Sequence, residues 1–268
     1  MNVTEAAAPD HANVDFDSID VVAEGGLRVL TLDRPPLNVL NIRMLEELVE
    51  AVERVAADGG ASVLMITGRG KAFCAGVDVA DHTEDRVEEM IQTLHRALTA
   101  VMGLPIPVVA ALNGAALGGG LELALACDIV VARAGAKLGQ PEIQLGVFPP
   151  FAAAVLPRRI GRGAAFDICL TGRTLLAEEG LRMGLVQHVY EKDDFESRAL
   201  EYGRSLASLS GPVLRLTKRA IAEGEKSPLD DALRGAESIY LNDLMQLEDA
   251  REGLAAFLEK RPPVWKGA

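Results

Sequence analysis

The residues best suited to chemistry lie in two short stretches: Gly114-Ala-Ala-Leu-Gly-Gly-Gly120 running directly into Leu121-Glu122, and Gly139-Gln-Pro-Glu142 further on. A strand, three glycines and then a helix aim unpaired backbone N–H groups, and the positive end of a helix dipole, at whatever lies before the turn. Such a turn can hold an oxyanion; the plain alternative is that the glycines only let a helix pack closely. Glu122 stands among Leu121, Leu123, Ala124, Leu125 and Ala126, where nothing marks a solvated face. A carboxylate there is costly unless it has a partner or a task. Glu142 is followed by Ile143, Leu145, Val147 and Phe148 and, taken alone, reads as a surface-loop acid. Two acids near an oxyanion turn point to proton transfer at a carbonyl compound, one acting as base and the other as acid.

Competing chemistries fail on spacing. A dinucleotide fingerprint on Gly118 and Gly120 needs a small residue where Leu123 stands, and no Gly-Lys-Ser/Thr follows for a phosphate loop. The chain has neither a Gly-x-Ser-x-Gly nucleophile elbow nor a His-Glu-x-x-His zinc helix. Cys74, Cys127 and Cys169 match no zinc or disulfide spacing and read as reduced, buried thiols of a cytoplasmic protein. His82, His95 and His188 are scattered and read as structural or surface residues; Asp78 and Asp128 read as loop-orienting groups.

The elements that must position these groups are legible in outline. The chain has 268 residues, 49% of them hydrophobic, which is enough for a sizeable core. Its 39 acidic against 27 basic residues give a net charge of −12 and no general attraction to nucleic acid or an anionic membrane. The first residues are acidic, without Lys or Arg and without a signal-peptide pattern. The apolar stretch Pro105 to Ala136 carries Asn113, Glu122 and Asp128 and is broken by Gly118-Gly119-Gly120, so it reads as buried core and not as a membrane span.

Leu27 to Leu32 alternates as a strand, Asn41 caps a helix with the stripe Met44, Leu45, Leu48, Val52 and Val55, and Val63 to Thr67 is a buried strand. A loop is expected over Gly68–Asp78, a helix over Glu84–Met102, a strand over Pro107–Leu112, a helix from Gly118, and a strand over Ile129–Ala132. Beyond about Glu191 the pattern turns helical, over Phe195–Leu209, Val213–Ala222 and Leu247–Leu258, as an appendage on an α/β core. The expected division is an acidic flexible tail over 1–18, a core over 19–192 and a C-terminal helical region over 193–268.

Several ordered motifs now resemble one family. Lys71-Ala-Phe-Cys-Ala-Gly-Val-Asp78, Asn113-Gly-Ala-Ala-Leu-Gly-Gly-Gly-Leu-Glu122, Gly139-Gln-Pro-Glu142 with Leu145-Gly146, Leu170-Thr-Gly172 and Ala177-Glu-Glu-Gly180 look like the crotonase (enoyl-CoA hydratase/isomerase) superfamily, over about Val21 to Trp265. The resemblance implies an α/β spiral of repeated β-β-α turns followed by C-terminal helices that trimerise, often as a dimer of trimers. It implies an oxyanion hole made by the backbone N–H groups of Val77 and Gly119, and Glu122 and Glu142 as the two carboxylates of the hydratases. It also implies coenzyme A contacts from Arg34, Lys71 and the backbone around Ala75, with Lys260 reaching a neighbour's CoA phosphates.

Where typical enoyl-CoA hydratases carry a glycine-rich Pro-Gly-x-Gly-Gly stretch, this chain has Leu145-Gly-Val-Phe-Pro-Pro-Phe-Ala-Ala-Ala154. Phe148, Pro149, Pro150 and Phe151 are expected to form a stiff apolar wall suited to a bulky or cyclic acyl group. That segment, with Leu156-Pro-Arg-Arg-Ile-Gly161 and Arg261-Pro-Pro-Val-Trp265, resembles cyclohexa-1,5-diene-1-carbonyl-CoA hydratases of anaerobic aromatic degradation. The expected activity is hydration of a conjugated enoyl or dienoyl thioester, with no metal or separate cofactor, coenzyme A being part of the substrate. The alternatives are a generic straight-chain hydratase or isomerase, and a non-catalytic scaffold of the same fold.

Overall fold

The computed structural model of the protein describes residues 16–268. In chain order the elements are β1 (Ile19–Glu24), β2 (Leu27–Leu32), α1 (Ile42–Ala57), β3 (Val63–Gly68), β4 (Ala72–Cys74), α2 (Val87–Gly103), β5 (Val108–Leu112), β6 (Ala115–Leu117), α3 (Gly119–Ala126), β7 (Ile129–Arg133) and β8 (Lys137–Gly139). There follow α4 (Pro150–Ile160), α5 (Arg162–Thr171), β9 (Thr174–Leu176), α6 (Ala177–Met183), β10 (His188–Tyr190), α7 (Phe195–Ala207), α8 (Gly211–Gly224), α9 (Leu229–Ser238) and α10 (Glu248–Glu259). One sheet runs β1-β2-β3-β5-β7-β10 and a second runs β4-β6-β8-β9. The three central turns, β3-β4-α2, β5-β6-α3 and β7-β8-α4, each give a strand to each sheet and then a helix, which is the expected spiral of β-β-α turns in an α/β fold with helices at its C-terminal end.

From β2 to β10 the first sheet is parallel, and its middle strands are buried on both faces. Leu64 and Ile66 of β3 pack into the large core with Met44 and Leu48 of α1 and Leu94 of α2. Val63 and Met65 point the other way, into a second cluster closed by Phe195 and Ala199 of α7. Burial on both sides is why Val63 to Ile66 reads as a continuous apolar run instead of an alternation. Asn41 caps α1 as expected, its Oδ1 accepting from the Met44 N–H at 2.9 Å, and the stripe from Met44 to Val55 is buried.

Four expectations are corrected. Residues 1–15 of the expected tail lie outside the described residues, but Asp17 and Ser18 are not loose: their N–H groups donate to the Glu47 carboxylate at 3.3 and 2.9 Å. The chain then enters β1, an edge strand with only Ile19 buried, so its sequence carries little apolar signal. The expected loop over Gly68–Asp78 contains β4, too short to show a period and held by pairing to β6. The mostly helical part of the chain starts at Pro150, with α4, α5 and α6, well before Glu191, and α7 is no appendage because it covers the outer face of the first sheet. Among the described residues no helix is long and apolar enough to cross a membrane.

Candidate active site

Strands β4, β6 and β8 are parallel neighbours, with Cys74 opposite Ala116 and Leu117 opposite Gly139. Their C-terminal ends deliver, side by side, the turn Ala75-Gly76-Val77, the turn Gly118-Gly119 and the segment Gln140-Pro141-Glu142. Three motifs far apart in sequence therefore meet at one edge of the small sheet, the place where parallel α/β sheets collect ligands.

The three glycines each make room for a different neighbour. Gly118 has φ 52°, a conformation that side chains with a Cβ rarely adopt, and a Cβ there would stand 2.6 Å from Glu142 Oε1. A Cβ on Gly119 would stand 2.5 Å from Val77 Cγ2 and 3.5 Å from Val77 N, and one on Gly120 would strike the Cys74 carbonyl. Close packing and chemistry are thus served by the same residues. Gly119 opens α3, so its N–H has no acceptor within the helix. Val77 is bridged to Leu40 through the Gly76 carbonyl and the Asp78 N–H, which leaves its own N–H out of that pairing. Among the described residues neither the Val77 nor the Gly119 N–H donates to a protein acceptor. Two adjacent, unspent donors at a helix start are what an incoming carbonyl oxygen needs.

Glu122 is 2% exposed, and its Oε1 accepts from the Ala152 N–H at 2.9 Å. That amide belongs to the first turn of α4, whose start is fixed by Pro149 and Pro150. Burial pushes the Glu122 carboxyl up to about 7, the neighbouring Glu142 pushes the same way, and the α4 amides of Ala152 and Phe151 oppose the rise. Glu142 sits in a 3-10 turn, Pro141–Leu145, directly after β8. Burial raises its carboxyl too, against the pull of a backbone N–H and of the His82 charge. The fully buried Gln140 holds it: with its amide NH2 turned to its acceptors, Gln140 donates to both Glu142 oxygens at 3.0 and 3.1 Å and to the Gly118 carbonyl at 3.3 Å. Two carboxyls whose burial favours their neutral forms thus stand beside an oxyanion turn.

The remaining expected residues are placed unequally. The Arg34 guanidinium donates to the Val39 carbonyl at 2.7 Å and pairs with Asp78 at 3.1 Å, beside Val77. Ala75 spends its N–H on the Leu37 carbonyl, leaving its own carbonyl as the available contact, while Lys71 is exposed one strand earlier. Lys260 ends α10, which packs on α8 and on the turn Leu244–Gln246, so one chain does not bring it to the acids. The expected wall is divided: Phe151 turns inward against the core, Pro150 opens α4, and Phe148 is 66% exposed. Cys74 and Cys127 are buried thiols whose pKa values burial raises, Cys74 to about 12, as inert packing groups require. Asp128 orients its loop as expected, accepting from the Val108 N–H and pairing with Lys218, each at 2.7 Å.

Sequence reasoning gave no role to Gln140 or the first amides of α4, read His82 as structural or surface, and expected a buried Cys169, which the structure leaves only partly buried. Gln140 alone left a trace, as an amide between Gly139 and Pro141 at the end of an apolar segment. A cavity of about 560 Å³ lies elsewhere, under α7 on the outer face of the first sheet. Its Arg69, Arg133 and Lys192 are balanced by Glu24, Asp193 and Glu196, and it contains neither acid of the pair.

Comparison with known proteins fits this geometry. The sequence pattern of the enoyl-CoA hydratase/isomerase family matches residues 23–268. The cyclohexa-1,5-dienecarbonyl-CoA hydratase of Thauera aromatica is 36% identical over 244 residues, covering 91% of this chain and 94% of that one. The short-chain-enoyl-CoA hydratase of Clostridium acetobutylicum is 33% identical over 260 residues, covering 92% and 97%. A crystal structure of an enoyl-CoA hydratase from Bacillus anthracis superposes with a TM-score of 0.90 at 36% identity, covering 94% of this chain and all of the other.

Proposed function

The chain belongs to the enoyl-CoA hydratase/isomerase family and is an enzyme of its hydro-lyase type, and we propose that it hydrates a cyclic dienoyl thioester, cyclohexa-1,5-diene-1-carbonyl-CoA, to 6-hydroxycyclohex-1-ene-1-carbonyl-CoA. The observation that carries the hydratase reading is the buried Glu122, lifted to about 7 and facing Glu142 beside the unspent amides of Val77 and Gly119. The cyclic acyl group is supported by the stiff Pro149-Pro150 start of α4, with Phe151 turned inward where straight-chain hydratases are glycine-rich, and by the likeness to the Thauera enzyme.

In this reading the amides of Val77 and Gly119 receive the thioester oxygen, and one such donor contributes about 3 kcal/mol to the transition state. Glu122 takes a proton from water as the oxygen attacks the β carbon, C2 of the ring. The electron pair moves onto the thioester oxygen and, through the second double bond, to C5. Glu142 delivers its proton to C5, which leaves one ring double bond conjugated to the thioester. Arg34, Lys71 and the Ala75 carbonyl hold the CoA moiety, and Lys260 reaches the CoA phosphates of a neighbour in a trimer or dimer of trimers.

The test is to mix the purified protein with a panel of linear and cyclic enoyl-CoAs and follow the absorbance of the thioester-conjugated band. Faster loss with the cyclic dienoyl-CoA supports the proposal. Faster hydration of crotonyl-CoA replaces it with the straight-chain reading, and silence on the whole panel leaves only a scaffold.

A further inference from the structure

The Val77 amide is bracketed by a segment remote from it in sequence. Residues 37–40 run beside the turn of residues 75–78 and hold it on both sides of Val77. The Ala75 N–H donates to the Leu37 carbonyl at 3.0 Å, the Leu40 N–H to the Gly76 carbonyl at 2.8 Å, and the Asp78 N–H to the Leu40 carbonyl at 2.8 Å. Asn38 lies inside that segment, 1% exposed and at φ 54°, a conformation that asparagine bears better than most side chains. Its backbone N–H donates to the Arg34 carbonyl at 2.8 Å, and its Oδ1 accepts from the Arg34 N–H at 3.0 Å. Its Nδ2 reaches the other way, to the carbonyls of Arg69, Ala72 and Phe73 at 3.0, 2.9 and 3.1 Å. Two amide protons thus serve three carbonyls, on β4 and on the loop before it. Gly68 leaves room for this, since a Cβ there would stand 2.8 Å from Asn38 Nδ2.

Strand β4 runs directly into the oxyanion turn, so Asn38 fastens both the strand that delivers Val77 and the segment that brackets it. Resting on the reading of Val77 as an oxyanion donor, we propose that Asn38 is a positioning residue of the reaction: by clamping residues 37–40 to β4 it sets the aim of the Val77 N–H at the thioester oxygen. Such a donor acts only when it is held at hydrogen-bond distance from the place where charge develops, and a loosened turn has to reorganise at the moment of reaction. Asn113 supplies the contrast. It donates to the Gly70 and Ala72 carbonyls at 3.1 and 3.3 Å and accepts from the Gly68 N–H at 3.2 Å. It therefore fastens the same loop without a bond to residues 37–40.

The experiment uses acetoacetyl-CoA, whose short acyl group suits a linear or a cyclic pocket. This β-keto thioester ionises to an enolate with its own absorbance, and donors aimed at its thioester oxygen lower the pH at which the bound ligand ionises. The proteins are wild type, Asn38→Gly, Asn38→Asp and Asn113→Ala. Asn38→Gly accepts the positive φ and removes the clamp, while Asn38→Asp keeps the acceptor and loses the NH2 donors. Glu122 and Glu142 are the same in all four, so differences report the amides. The wild type should ionise the bound ligand below the midpoint of free acetoacetyl-CoA, and both Asn38 variants should raise that midpoint by about one pH unit, a loss of roughly tenfold. On an enoyl-CoA that the wild type hydrates, they should lower kcat about tenfold with KM within about threefold. Asn113→Ala should denature more easily and leave the ionisation midpoint in place. An unmoved midpoint in folded Asn38 variants overturns the proposal, as does an equal rise in Asn113→Ala; failure of both Asn38 variants to fold reduces Asn38 to a structural residue and overturns it too. A wild type that does not bind the ligand, or binds it without lowering the midpoint, sinks the oxyanion reading and the proposal with it, whereas a lowered midpoint shared equally by the Asn38 variants sinks the proposal alone.

Discussion

Glu122 and Glu142 differ in what holds them, and that difference is testable residue by residue. Each Gln replacement keeps volume and hydrogen-bonding capacity, so Glu122→Gln and Glu142→Gln should fold and lose two to four orders of magnitude in kcat, roughly the range for a positioned acid or base. Near-wild-type turnover in both would return the acids to a bland role. Glu122 also makes a stability prediction. Its carboxyl rises from 4.5 to about 7 on folding, chiefly through burial. The fold therefore prefers the neutral form, and as pH rises from 4.5 through 7 the wild type must increasingly bury a charge and loses stability. Glu122→Gln carries no such charge, so it should match the wild type near pH 4.5 and exceed it near pH 8 by on the order of 3 kcal/mol. Denaturant titrations at the two pH values check this, and a Gln variant equally or less stable at pH 8 would contradict it.

Among the elements, the turn before α3 and the start of α4 define the reacting volume from two sides. The claim at Gly119 concerns its amide, but a Cβ there meets Val77 Cγ2 at 2.5 Å, so Gly119→Pro alone confounds lost donor with clash. Val77→Ala removes that contact and keeps its own amide, and proline is well tolerated at the first helical position. Val77→Ala should stay active, while Val77→Ala/Gly119→Pro should fold and lose turnover about a hundredfold or more. Comparable kinetics in the two proteins would remove Gly119 from the oxyanion hole. At α4, Phe151 supplies inward apolar surface next to the amide that holds Glu122. Phe151→Gly should reduce kcat/KM for the cyclic dienoyl-CoA by at least about tenfold, or roughly 1.4 kcal/mol, and leave a weak crotonyl-CoA activity little changed. An equal loss on both substrates would mean that the ring is not what Phe151 holds.

At the scale of the molecule, two of the exposed apolar groups bear on assembly. One lies on the C-terminal helices, where Phe257 and Leu258 are 83% and 81% exposed; the other lies beside the site at Leu145, Phe148 and Leu170. Two different patches on one chain suit a head-to-tail contact, which closes into a ring when the rotation allows. Phe257→Asp/Leu258→Asp should therefore run as a monomer by size exclusion with light scattering, with its circular dichroism preserved because neither side chain belongs to the core. Lys260→Ala should stay assembled and raise KM for a CoA thioester several-fold at constant kcat, as expected for a contact made only in binding. A wild type that is already monomeric would defeat both expectations.

The sequence by itself determined the family of chemistry and marked the residues offered as its carriers. Glu122 is legible because a carboxylate inside an apolar helix is too costly to be idle, and Gly118-Gly119-Gly120 because a glycine run between strand and helix exposes amides. The buried strands and the α1 stripe are legible because their periods are long enough to read. Only the tertiary structure decided where these groups meet. Strands as short as β4, β6 and β8 carry no period, yet their parallel pairing is what sets Val77, Gly119 and Glu142 side by side. It also decided how the acids are tuned, since the Ala152 amide, the Gln140 side chain and His82 act across gaps in sequence that no local pattern records. Local propensity acts over neighbouring residues, whereas a proton's affinity is set by every charge, dipole and wall within a few ångströms, and the fold alone brings those together.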